Sequence, residues 1–161
     1  MKKPTKRGFG LALLSVGLAG TLAAVTMLPG SATPGINSSS TVLARGTNQS
    51  SGTLPLMKGK DMVIAMNTFE VGGSSGWHSH PGGAIVVIQQ GELTDYISVG
   101  SRCDSTRYTA GQSFVERPTD LQNAVNTGSV QTIVYVLFPS VPVGGSPRID
   151  EATNPGTCPG V

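Results

Sequence analysis

The sequence predicts an all-β protein, a small sandwich or barrel of short strands. Three observations carry this. Past residue 60 the apolar residues fall in short runs, each closed by Gly, Pro, Asp or Ser, as strands and their turns do. No stretch after the N-terminal segment spaces its apolar residues with a helical period. AIVVI (84–88) and TIVYVLF (132–138) are continuously apolar, as central strands are, whereas DYIS (95–98) and SFVE (113–116) alternate like half-buried strands.

The chain opens on MKKPTKR and an uncharged apolar run, with Gly30 and Ala32 as small residues before Thr33. A basic head, an apolar middle and a small-residue exit are the order of a secretory signal, expected here over residues 1–32. The competing reading is an uncleaved anchor, since about 20 apolar residues are enough to span a bilayer. The signal holds four of the eleven Lys and Arg residues and none of the nine acids. Residues 33–161 therefore carry seven basic and nine acidic side chains, a formal charge of −2. With no basic patch, nucleic-acid binding is excluded, and any membrane contact is expected only through the signal.

Residues 33–41 read as a flexible spacer rich in Ser, Thr, Gly and Pro. VLARG (42–46) is the first candidate strand, followed by DMVIAMNTFEV (61–71), AIVVIQQ (84–90), LTDYISV (93–99), GQSFVER (111–117) and QTIVYVLFP (131–139). One domain over 42–140 is expected. The segment 141–161 has four prolines and four glycines, and it reads as an extended wrap covering a sheet edge. The two cysteines, Cys103 and Cys158, are expected to form a disulfide in an exported chain. Free thiols or thiolate metal ligation are the rivals.

GWHSHPGG (76–83) holds the one tryptophan and both histidines. Side chains at i and i+2 leave an extended strand on one face, so His78 and His80 converge. Two imidazoles make a weak metal site without a further ligand. Gly72 stands six residues before His78, and Gly91 closes the segment; GQSFVERPTDLQNAVNTG (111–128) adds Gly111, Pro118 and Asn126. These residues resemble the two motifs of the cupins, and the combination of GWHSHPGG, the mid-chain Cys103, AGQSFV (110–115), the FP (138–139) that ends the last strand and the PGTCP tail (155–159) is similar to that of small secreted actinobacterial single-domain cupins. The resemblance covers about residues 60–140 and implies a cupin-type jelly-roll barrel as a single domain. It also implies the family's range of roles and a homodimer.

The resemblance further implies a metal held by two histidines and a glutamate from the first motif and a histidine from the second. Here the glutamate position falls on Ala84. The last histidine falls on Gln122 when counted back from Asn126, and on Asn123 when counted forward from Pro118. Asp120 lies two residues before Gln122, so on an inward face it could complete a two-histidine, one-carboxylate set with Gln122 or water. A one-residue slip turns Asp120 outward, and PTD also reads as a turn that Asp120 caps. Glu116 alternates with Phe114 and so faces inward or lies at an edge. Trp77 and the tyrosines read as packing groups.

The expected function is binding of a divalent transition metal (Fe, Mn, Zn, Ni or Cu) or a small-molecule ligand in the barrel, with His78 and His80 as the principal site residues. The alternatives are a metal-dependent oxygenase or isomerase on a small polar substrate, and a metal-free extracytoplasmic structural module.

Overall fold

The computed structural model describes residues 40–161. The signal expected at 1–32 and nearly all of the spacer at 33–41 lie outside the described residues. The strands are β1 (Thr47–Asn48), β2 (Asp61–Phe69), β3 (His78–Ser79), β4 (Ala84–Gln90), β5 (Glu92–Val99), β6 (Arg102–Thr109), β7 (Gln112–Glu116), β8 (Leu121–Val125), β9 (Thr132–Val141) and β10 (Ile149–Asp150). They form two five-stranded sheets, ordered β1-β7-β4-β9-β2 and β10-β3-β8-β5-β6. All pairings are antiparallel except that of β1 with β7, and the two sheets close on one another as a jelly roll.

The apolar runs account for the first sheet's centre. Ala84, Val86 and Ile88 of β4 meet Val134, Val136 and Phe138 of β9 in one buried cluster, joined from β7 by Phe114 and from the second sheet by Leu93, Tyr108 and Ala124. The Tyr108 and Phe114 rings stack across the two sheets at 4.0 Å and 9°. Only one face of these strands is buried, although the runs read as apolar on both. The outer face carries Ile64, Leu137, Ile85 and Val115 as one row across the ladders, and Met66, Tyr135 and Val87 as the next. On the edge strand β2, Met62, Ile64 and Met66 are exposed.

Two segments depart from expectation. VLARG (42–46) is not a strand; pairing begins one residue later, where Thr47 and Asn48 lie parallel to Gln112 and Ser113. The tail is an extended wrap with one short strand: β10 adds to the β3 edge, pairing Asp150 with His78 and Ile149 with Ser79. Cys158 then bonds Cys103 of β6 with a Cα–Cα distance of 5.0 Å. Thr157 Oγ1 donates to Ser98 Oγ at 2.9 Å beside that bond.

The glycines of GWHSHPGG and the turn after β4 have steric causes. A side chain at Gly82 would collide with the Pro139 carbonyl oxygen, so the histidine strand can approach β9 only through bare backbone. Gly91 turns β4 into β5 at φ 74°, and a Cβ there would stand 2.5 Å from Thr132 Oγ1. Asn126 ties the loops together. Its Nδ2 donates to the carbonyls of Phe69, Glu70 and Val130 at 2.8–3.1 Å, and its Oδ1 accepts from Gly128 N at 3.0 Å.

Candidate functional site

His78 and His80 leave the extended β3 segment on the same side, as their spacing requires, and both are buried. Their rings meet edge to face with centroids 4.7 Å apart. The Nδ1 of His78 lies 2.8 Å from Gly76 O, and the Nδ1 of His80 lies 2.7 Å from Pro147 O. A carbonyl oxygen only accepts, so each Nδ1 carries the hydrogen. In the neutral ring this leaves both Nε2 atoms with bare lone pairs. Burial holds the His78 pKa below the usual imidazole value, and the nearby Arg148 and His80 add to this effect against the pull of the Gly76 carbonyl. His78 is therefore neutral near pH 7.

The two Nε2 atoms stand 3.1 Å apart, and Glu116 Oε2 lies 3.1 Å from the His80 Nε2. Glu116 reaches this point from β7, where its backbone pairs with Ala84 across the ladder. Three acceptors thus meet in a buried corner. A single proton placed on one of them makes a straight hydrogen bond to only one neighbour at a time. A cation placed there would have two imidazole nitrogens and a carboxylate oxygen to bind. Donors about 2.1 Å from a shared ion and 3.1 Å apart subtend about 95°, near the right angle of cis octahedral ligands. Among the described residues no group of three or more His, Cys, Asp or Glu has the spacing of a metal cage as it stands. What fits an ion is the chemistry of the atoms: two imidazole nitrogens whose other N–H groups are fixed by carbonyls, and one carboxylate.

Gln122 lies opposite His78 in the β3–β8 ladder, and both ends of its buried amide lack a hydrogen-bond partner. Asp95 shares that inward face: it opposes Ala124, and Ile97 opposes Gln122. Its Oδ1 is buried without a partner. Burial first, then the charges of Glu116 and Asp120, raise its pKa well above the ordinary carboxylate value. Asp120 itself lies in a turn before β8, its N–H donating to Arg117 O at 3.3 Å, and it is not among the residues lining the cavity beside the histidines. Asn123 Oδ1 accepts from Ser74 and Ser75 Oγ at 2.7 and 3.3 Å. Trp77 is buried in packing, with its Nε1 unpartnered.

A cavity of about 200 Å³ opens beside His78, His80 and Glu116. Its walls are largely apolar, with Phe69, Phe114 and Phe138 among them, and Ser75 and Arg148 also line it. Arg148 comes from the tail: Nη2 donates to Ser75 O at 2.6 Å, and Nε pairs with Asp150.

Residues 65–138 match the cupin domain family. They form a cupin domain. Solved structures similar to the chain include an oxalate oxidase, 28% identical over 49% of this chain and 42% of that one, with a TM-score of 0.44. The oxalate decarboxylase of Lactobacillus farciminis, in a formate complex, is 18% identical over 56% of this chain and 27% of that one, with a TM-score of 0.48. A cupin domain from Bordetella pertussis Tohama I is 18% identical over 60% of this chain and 96% of that one, with a TM-score of 0.41. The chain spans less than half the length of that oxalate oxidase. No curated protein matches it. Within the cupin barrel the carboxylate beside the histidines comes from β7, opposite the Ala84 position where the motif would supply its glutamate.

Sequence reasoning placed Glu116 on an inward face or at an edge without assigning it to the site, and it did not select Asp95 or Arg148. Alternation carried a signal for the first two: Glu116 shares a face with Phe114, and Asp95 with Leu93 and Ile97. Nothing local marks Arg148, which depends on the path of the tail.

Proposed function

We propose that this cupin barrel holds a divalent transition-metal ion on His78 Nε2, His80 Nε2 and Glu116 Oε2, and takes a small ligand in the adjoining cavity. The observation that carries this reading is the meeting of three lone-pair donors whose geometry no single proton satisfies. The two Nδ1–H groups, committed to Gly76 O and Pro147 O, hold the rings with Nε2 turned to the site. A bound ion would supply a Lewis acid with coordination positions left for a ligand, as two-histidine, one-carboxylate sets do. Gln122, opposite His78 with its amide unpartnered, is the neutral group best placed to support the set. The cavity favours, as a second reading, metal-dependent oxygenase or isomerase chemistry on a small substrate. The disulfide supports an oxidising, extracytoplasmic location, in keeping with the signal expected at the N-terminus.

The test is metal content by mass spectrometry on protein carrying no histidine tag, after separate loading with Mn, Fe, Zn, Ni and Cu. Near-stoichiometric metal is expected, and it should be lost in the His78→Ala, His80→Ala double variant. Glu116→Gln should weaken binding by more than the roughly 10–100-fold that loss of an outer partner costs. Asp120→Ala should leave it unchanged. Failure to retain any of the five metals would leave the barrel as a metal-free structural module.

A further inference from the structure

We propose that the occupant of the cavity is a small monocarboxylic acid with a compact apolar body, its carboxylate placed between the His78–His80–Glu116 trio and Arg148. This rests on the metal reading above and adds the class of ligand to it.

The lining is divided by chemistry. His78, His80, Glu116, Ser75 and Arg148 supply charged and hydrogen-bonding groups, while three phenylalanines, with valines from β4 and β9, dominate the remaining wall, where Asn67 is the one polar side chain. An apolar body gains by leaving water against such a wall, and a second charged group there would lose its hydration without return. The ligand is therefore charged at one end only.

Charge sets the sign of that end. A divalent ion brings +2 and Glu116 −1, while Arg148 and its partner Asp150 cancel. The site with its ion is thus left at +1, which one monoanion neutralises. Arg148 can address that anion directly. It has five N–H donors, of which Ser75 O and Asp150 use one each, and the others have no partner among the described residues. Its side chain is 32% exposed, so it sits at the rim, partly screened from water. A planar guanidinium recognises a carboxylate through paired N–H donors.

Size sets the body. The cavity holds about 200 Å³, somewhat more than the roughly 150 Å³ cavity that accepts a benzene molecule. One six-membered ring, or a branched chain of similar bulk, fills the apolar part and leaves room for the carboxylate. Benzoate and 3-methylbutanoate have these proportions; succinate carries a charge at the wrong end.

Isothermal titration of the metal-loaded full chain with benzoate, benzamide, 3-methylbutanoate and succinate tests this. Benzoate and 3-methylbutanoate should bind at least about tenfold more tightly than benzamide and succinate, a modest margin for one charge-assisted contact. In Arg148→Gln the preference for benzoate over benzamide should shrink by a similar factor, with metal content unchanged, and Arg148→Lys should restore part of it. A merely structural role for Arg148 would weaken both ligands equally and leave their ratio intact, which would overturn the proposal. Equal binding of benzoate and benzamide by metal-loaded protein would overturn it as well, while leaving the metal site standing. Loss of metal from the unmodified chain overturns the metal reading instead.

Discussion

Replacing Cys103 and Cys158 together by serine removes the covalent tie between β6 and the tail. The bond closes a separation of 55 residues. In the chain-entropy treatment a loop of that size restricts the unfolded chain by about 14 cal/mol/K, or about 4 kcal/mol at 25 °C. For a domain of this size that corresponds to a melting temperature lower by roughly 15 °C. Unfolding in urea is readily followed through Trp77, the one tryptophan, buried beside His78. The midpoint should fall and the slope m should rise, because an uncrosslinked unfolded chain exposes more surface. A second effect distinguishes the tail's part in the site. Pro147 O, which orients His80, lies on the segment the bond secures, so the double variant should also bind metal less tightly while still folded. A stability loss below about 1 kcal/mol with m unchanged would refute the entropic reasoning. It would mean that β10 and the Thr157 contact hold the tail unaided.

Three further outcomes concern single residues. Asp95 has a pKa raised by burial in the folded state, so the folded protein binds more protons than the unfolded chain once the pH exceeds the ordinary carboxylate value. Stability of the metal-free protein should therefore fall as pH rises from about 4 towards the raised pKa, by up to about 1.4 kcal/mol per pH unit. Asp95→Asn should remove that slope, and parallel curves for the two proteins between pH 4 and 8 would contradict the assignment. Asn126→Ala leaves three loop carbonyls and Gly128 N without their partner, and should cost about 2–4 kcal/mol by urea denaturation; a cost under about 0.5 kcal/mol would show that water replaces it. Gly91→Ala places a Cβ against Thr132 at positive φ, and should lower stability by about 2 kcal/mol or more, with an unchanged melting temperature counting against the steric argument.

The strands that were legible are those whose apolar residues decide their own pairing. AIVVIQQ is β4 without change of boundary, and β2, β5, β7 and β9 lie within about two residues of their apolar runs. Strand β6, RCDSTRYT, was not read as one. It is an edge strand with mostly exposed residues, so its sequence carries no face, and its partner β5 sets its conformation. The cupin resemblance rested on turn glycines and the histidine pair, which local backbone geometry demands. The carboxylate was harder to find, because motif spacing runs along the chain, whereas Glu116 reaches His80 across it. Its position depends on the pairing of Ala84 with Glu116, a register between strands that no single stretch of sequence states. Asp120 and Gln122 illustrate the same point. They are two residues apart, yet Gln122 is in β8 and buried, while Asp120 remains in the preceding turn, where the alternation of a strand does not yet apply.

The outer row on β2 has a chemical consequence apart from the barrel's interior. Met62 and Met66 flank Ile64 on the edge strand and are 60% and 58% exposed. Each thioether is open to peroxide, and oxidation to the sulfoxide turns a flexible apolar group into a polar one. An oxidant can thus change the wetting of this face without touching the fold or the histidines. Mass shifts of one oxygen at each methionine, with the melting transition unmoved, would be the signature.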